Sequence, residues 1–239
     1  MRSPSNRFAG TERSNPKLPI YQHIRRIAGP LLRAAVRLEA TGLENVPRSG
    51  PVILVSNHLS ILDSTFLPLV LDRHVTFMAK AEYFRGRGLI GKFTSSFMNG
   101  SGQISVDRAD QRAAVASLDP CLAVLEQGGV FCIYPEGTRS PDGRLYRART
   151  GVAWLALKSA APVVPVAMFG TDRVLPPGRR VPRPARVRIV FGPPLDLTEY
   201  AGGAGEARTR RLAADTVTDA VAALSGQEYV PVYATSAAT

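Results

Sequence analysis

At 239 residues and 45% hydrophobic, the chain is long enough to bury one well-filled core, and two small domains fit its length less well. Its two cysteines, Cys121 and Cys132, sit among apolar neighbours and read as reduced, cytosolic-side thiols rather than a disulfide framework; with three histidines in all, they argue against a structural zinc site. The formal charge of +11 gathers in residues 1–40, where eight Arg and Lys stand against Glu12 and Glu39, and again from Arg173 to Arg188, which suits an anionic partner (nucleic acid, an anionic lipid surface or a phosphorylated substrate) and equally a solvated basic tail.

In chain order, residues 1–16, rich in Ser, Arg, Asn and Pro, read as a disordered arm with no signal-peptide pattern. Residues 17–40 carry Ile20, Ile24, Ile27, Leu31, Leu32 and Leu38 at helical spacing with arginines between them. Gly29-Pro30 should divide this stretch into two short amphipathic helices, suited to lying on a membrane surface. No apolar run reaches the ~18 residues a membrane span needs.

From residue 41 to 225 the pattern alternates. Val52 to Val55 is a short, β-branched apolar run, as expected of a buried strand. Further strands are expected at Val75 to Met78, Gln103 to Val106, Val130 to Tyr134, Val163 to Met168 and Val187 to Phe191. Helices are expected at Gln111 to Gln127, Gly151 to Ala160 and Arg208 to Leu224. The expected fold is therefore α/β: a mostly parallel central sheet flanked by helices, preceded by the amphipathic helical pair and followed by a weakly structured tail over 226–239.

Two blocks carry chemistry. His58 follows the first expected strand and Asp63 comes five residues later. Five residues of helix would turn their side chains about 140° apart, so they meet only if His58 lies in the loop and Asp63 in the first helical turn. With Ser60 as N-cap that arrangement follows, and His58 becomes a base whose second ring nitrogen a carboxylate orients. The competing account is a capping box, in which Ser60 and Asp63 satisfy backbone donors and His58 is incidental. The second block, Tyr134-Pro135-Glu136-Gly137-Thr138-Arg139-Ser140, follows another strand. Gly137 permits close backbone approach and Arg139 offers a planar set of donors for phosphate oxygens, unless Glu136 and Arg139 simply pair across a polar turn. Lys80 and Arg108 stand just past strands and, by themselves, read as surface charges.

Together with Gly102-x-Ile104 through Arg108 and Val164-Pro165-Val166, these blocks resemble, in order and spacing, those of the 1-acylglycerol-3-phosphate acyltransferase family, the glycerolipid acyltransferases. The resemblance runs from about Leu43 to Phe191. It implies transfer of a fatty acyl group from acyl-CoA or acyl carrier protein to the sn-2 hydroxyl of 1-acylglycerol-3-phosphate, giving phosphatidic acid in phospholipid biosynthesis. It implies His58 and Asp63 as the catalytic pair, and Arg108, Glu136, Gly137, Thr138 and Arg139 as the phosphate site, with Lys80 joining it. No metal and no cofactor beyond the thioester co-substrate are implied. Many members carry a Phe-Lys-Lys-Gly-like segment where this chain has Tyr146-Arg147-Ala148-Arg149-Thr150-Gly151, so glycerol-3-phosphate or another lysophospholipid is an alternative acceptor.

Gly86-Arg87-Gly88-Leu89-Ile90-Gly91 also matches a dinucleotide fingerprint with Asp107 at ribose-binding distance, but three charges, Lys80, Glu82 and Arg85, separate it from its strand. A non-catalytic module for anionic lipid would use the basic stretches alone. Nucleic acid is disfavoured, since those stretches lack interleaved aromatics. The expectation is a peripheral enzyme on the cytoplasmic face of a membrane, of undetermined oligomeric state.

Overall fold

The computed structural model describes residues 29–80, 103–106, 118–176, 179 and 181–235, with the backbone alone at Lys80 and Val106. Among them, seven strands form one sheet: β1 (Glu39–Thr41), β2 (Val52–Ser56), β3 (Val75–Lys80), β4 (Ile104–Val106), β5 (Val130–Ile133), β7 (Val163–Phe169) and β8 (Arg188–Phe191), in the order β1-β8-β7-β2-β5-β3-β4. Two short strands, β6 (Leu145–Tyr146) and β9 (Tyr229–Val230), pair separately. The helices are α1 (residues 29–35), α2 (Asp63–Val70), α3 (Asp119–Glu126), α4 (Gly151–Ser159), α5 (Thr171–Val174) and α6 (Ala207–Ser225).

The unbroken apolar run of β2 has a direct cause. The strand lies mid-sheet and its alternate residues enter two different cores, so neither face can be polar. Val52 and Leu54 join Val130, Cys132, Val164 and Val166 against Phe66 and Leu67 of α2, with Val36 alongside. Ile53 and Val55 join Phe131, Ile133 and Val163 against α3, α4 and α6, through Leu125, Leu155 and Val217. Each such large side chain, fully withdrawn from water, contributes about 1.5–3 kcal/mol before entropy is counted. The result is the expected mostly parallel sheet flanked by helices.

All strand pairs in the sheet are parallel except β7 with β8. This reversal matters for the site. The starts of β8 and β1 are thereby brought to the edge where β2, β5 and β7 end, and in open α/β sheets that carboxyl edge is where sites assemble.

The differences from expectation have local causes. Of the helix expected over Gln111 to Gln127, residues 111–117 lie outside the described residues; Leu118 is a turn residue and α3 starts at Asp119, with Pro120, which has no N–H to lose, in its first turn. The tail is not unstructured throughout: Gly226 takes φ 65° and ends α6, after which β9 pairs with β6 and Ala234 is buried. β1 and β8 pair across the boundary expected after residue 40. Of the helical pair, α1 is described from Gly29 onward, and the residues before it lie outside the described residues. Leu32, Val36 and Leu38 pack on the core, while Leu31 is 75% exposed and Arg33 and Arg37 face solvent. Among the described residues no helix is long and apolar enough to cross a membrane.

Candidate active site

The loop after β2 is pinned before it reaches His58. Buried Asn57 continues the strand with its side chain: Oδ1 accepts from the Met168 N–H at 2.8 Å, and Nδ2 donates to the Met168 carbonyl at 3.1 Å and to Gln227 Oε1 at 2.8 Å. The amide thus satisfies the end of β7 as a strand backbone would, and the chain leaves the sheet at His58.

Asp63 then gathers the loop around one oxygen. Its Oδ2 accepts from His58 Nδ1 at 2.9 Å, from the Leu59 N–H at 2.7 Å and from the Ser60 N–H at 2.9 Å. Ser60 Oγ accepts from the Leu62 N–H at 3.3 Å. The two arrangements posed as competitors by the sequence overlap: one carboxylate oxygen holds both His58 and the Ser60 N–H, while Ser60 Oγ takes the Leu62 N–H and not that of Asp63. The regular helix begins only at Asp63, with Leu62 at the cap position, so Ser60 closes a turn ahead of α2 instead of capping it directly. A carboxylate can only accept; Nδ1 therefore carries the proton, and Nε2 presents a lone pair.

The imidazole is held flat by an aromatic floor. Tyr134, the first residue past β5, stacks on the His58 ring with centroids 3.9 Å apart and planes 9° apart, and its hydroxyl and Ser64 Oγ share a hydrogen bond at 2.9 Å. Asp63 is fully buried, while the His58 side chain keeps 15% of its exposure, enough for one edge to meet a substrate.

The second block reaches the same loop from β5. The Ser140 N–H donates to the His58 carbonyl at 2.7 Å, and the His58 N–H donates to Glu136 Oε1 at 3.3 Å. Glu136 Oε2 accepts from the Tyr146 N–H at 3.0 Å, and the residue is wholly buried. The Glu136 carboxylate expected in the phosphate site faces inward and ties the His58 backbone to β6. Burial pushes its carboxyl up to about 7, against the lowering effect of the two N–H donors, with Asp63 and Asp142 raising it further.

Gly137 takes φ 76°, and a Cβ there would stand 2.8 Å from Arg149 Nε, so the turn admits a guanidinium where a side chain would block it. Arg139 is exposed at the end of this turn and Thr138 half-buried. Arg149, which the sequence did not single out for a role, joins the turn and stacks over Tyr233 at 5.4 Å; its N–H donates to the Pro135 carbonyl at 2.7 Å. Its signal was the basic pair Arg147 and Arg149 replacing the family's usual segment. Lys80 ends β3. Arg108, Asp107 and the Gly86 to Gly91 motif lie outside the described residues.

The arrangement can take a proton at Nε2 and hold an anion beside it. It does not offer a thiolate: burial pushes Cys121 up to about 12 and Cys132 well above its ordinary value, so both remain neutral thiols. Among the described residues no cluster of His, Cys, Asp or Glu could hold a metal ion.

The acyltransferase family model matches residues 37–169, and the chain belongs to that family. It is 32% identical over 176 residues to a chloroplastic 1-acyl-sn-glycerol-3-phosphate acyltransferase of Arabidopsis thaliana, covering 73% of this chain and 48% of that one. A Pseudomonas aeruginosa protein of the same name is 30% identical over 173 residues, covering 68% of this chain and 60% of that one. The chain thus spans about half to three-fifths of these relatives. The crystal structure of PlsC, the 1-acyl-sn-glycerophosphate acyltransferase of Thermotoga maritima, superposes with a TM-score of 0.65 at 26% identity, over 91% of this chain and 84% of that one.

Proposed function

We propose that the protein transfers a fatty acyl group from a thioester to the sn-2 hydroxyl of 1-acylglycerol-3-phosphate, giving phosphatidic acid. The observation that carries this reading is the His58–Asp63 pair at 2.9 Å beside the Gly137–Arg139 turn, together with relatives named for this reaction. His58 Nε2 takes the hydroxyl proton as the oxygen attacks the thioester carbonyl. The carbonyl π pair moves onto its oxygen and returns to expel the thiolate, which takes the proton back from the imidazolium. Asp63 balances the transient charge, and Arg139 and Arg149 hold the acceptor's phosphate. A panel assay decides the acceptor: purified protein is given 1-acylglycerol-3-phosphate, glycerol-3-phosphate or other lysophospholipids, each with acyl-CoA or acyl-loaded acyl carrier protein, and 1-acylglycerol-3-phosphate should yield phosphatidic acid and free thiol one for one. Thiol release only with a different acceptor would overturn the substrate assignment.

Arg139→Ala should raise KM for the acceptor at least about tenfold, since a charge-assisted hydrogen bond is worth roughly 1.5–3 kcal/mol, with KM for the thioester little changed. Equal changes in both constants would make Arg139 structural.

The acceptor is a lipid, and we place the protein on the cytoplasmic face of an anionic membrane, held by residues 17–40. Exposed Leu31, Arg33 and Arg37 support this, because a basic residue near an anionic surface adds about 1 kcal/mol. The chain should sediment with anionic vesicles, and Arg33→Glu with Arg37→Glu should halve the bound fraction or better; unaltered sedimentation would contradict the placement.

A further inference from the structure

Arg173, Arg186 and Arg188 of the second basic stretch have no part in the site described above, yet the fold returns them to the same edge. A cavity of about 510 Å³ lies there, lined by Leu59, Met168 and Phe169 and by Arg173, Arg186 and Arg188. Leu59 follows the catalytic histidine. Gln227 and Gly143 also line it, and they are joined to each other by an amide N–H donated at 2.6 Å and to the His58 loop through Asn57. In the sheet order, β2 stands between β5 and β7. The Gly137–Arg139 turn leaves β5 on one side of His58, while the cavity is built chiefly from the end of β7, α5 and the starts of β8 and β1 on the other, with Gly143, farther along the loop after β5, reaching its rim.

The charges in the cavity are unequal in availability. Its carboxylates are Glu39 and Asp172. Arg186 spans both oxygens of Glu39, at 2.7 and 2.9 Å. Arg188 lies with its guanidinium 4.3 Å from the Phe169 ring centroid, an arrangement that fixes the group by its face and leaves donors in its plane for an oxyanion. Arg173 is exposed and makes no ion pair among the described residues. Two guanidiniums are thus free to meet phosphate above a partly apolar lining.

We propose that this cavity binds the phosphopantetheine end of the acyl donor, its phosphate on Arg173 and Arg188, so that the thioester reaches His58 from the side opposite the acceptor's phosphate. The inference rests on the acyl-transfer reading and adds the donor's place to it. The chemistry is common to both carriers, because coenzyme A and acyl carrier protein each present pantetheine through a phosphate; an S-acyl-pantetheine lacks that phosphate.

The test uses the full chain and the variants Arg173→Ala, Arg188→Ala and Arg188→Lys. Calorimetry with free coenzyme A should show binding to the unaltered protein and at least about tenfold weaker binding to each Ala variant. KM for acyl-CoA and for acyl carrier protein should rise by a similar factor, while KM for S-acyl-pantetheine and for the acceptor stays unchanged. Arg188→Lys should recover part of the loss. Since Arg173 is exposed, its variant keeps the question open to measurement even where Arg188→Ala unfolds. Coenzyme A binding that depends on these arginines without any thiol release would sustain the cavity assignment and sink acyl transfer. Four results would overturn the assignment: no coenzyme A binding, equal KM rises with S-acyl-pantetheine, a change falling on the acceptor, or sensitivity confined to acyl carrier protein.

Discussion

His58→Ala is expected to reduce kcat/KM by at least ~10²-fold, with the fold and acceptor binding retained, because it removes the group placed to take the hydroxyl proton in the proposed reaction. The side chain contributes little to the core, since its contacts are the Tyr134 face and one oxygen of Asp63. Asp63→Asn should be impaired to a comparable degree for a different reason. An amide can turn its NH2 toward Nδ1, which stabilises the tautomer with the proton on Nε2 and leaves no lone pair for the acceptor. It also cannot balance the imidazolium. The pH profile separates the two variants from a general loss of structure: Asp63→Asn should keep KM for the acceptor while its residual rate loses the wild-type pH dependence. Full activity in either variant would return Asp63 to its capping role alone.

Glu136→Gln is expected to change how stability depends on pH. The folded-state carboxyl titrates near 7, above its ordinary 4.5, so folding favours the protonated form. That contribution is fully present below pH 4.5 and is lost as pH rises through 7; the shift corresponds to about 3 kcal/mol. Glutamine cannot ionise. Denaturant midpoints should therefore move in favour of the variant, relative to wild type, between pH 4.5 and 8. The same substitution offers one acceptor to two backbone N–H groups, so the His58 backbone loses one of its ties and kcat should fall about tenfold with KM for the acceptor unchanged. A rise in acceptor KM instead would restore Glu136 to the phosphate site.

That residue shows where sequence reasoning reached its limit. Glu136 and Arg139 flank Gly137 and look alike as charges at a turn, yet one points into the protein and the other out. Direction at a turn depends on where neighbouring strands leave unpaired N–H groups, and Tyr146, ten residues on, supplies one of them. The central strand was legible because burial on both faces leaves an unbroken apolar run. The His58–Asp63 pair was legible because helix geometry forces that spacing into a loop-to-helix junction. β1, β6 and β9 were not, since strands of two or three residues carry no periodicity. Neither was the clamp from Asn57 to Gln227, which joins residues 170 apart through one amide hydrogen bond.

The central claim, that His58 drives acyl transfer to a phosphorylated lipid hydroxyl, is tested most directly by following thiol release from acyl-CoA by purified protein with and without 1-acylglycerol-3-phosphate, for wild type and His58→Ala in parallel. The account predicts acceptor-dependent release by wild type, matched by phosphatidic acid formed one for one, and at least ~10²-fold slower release by the variant. Acceptor-dependent release at equal rates in both proteins would contradict it.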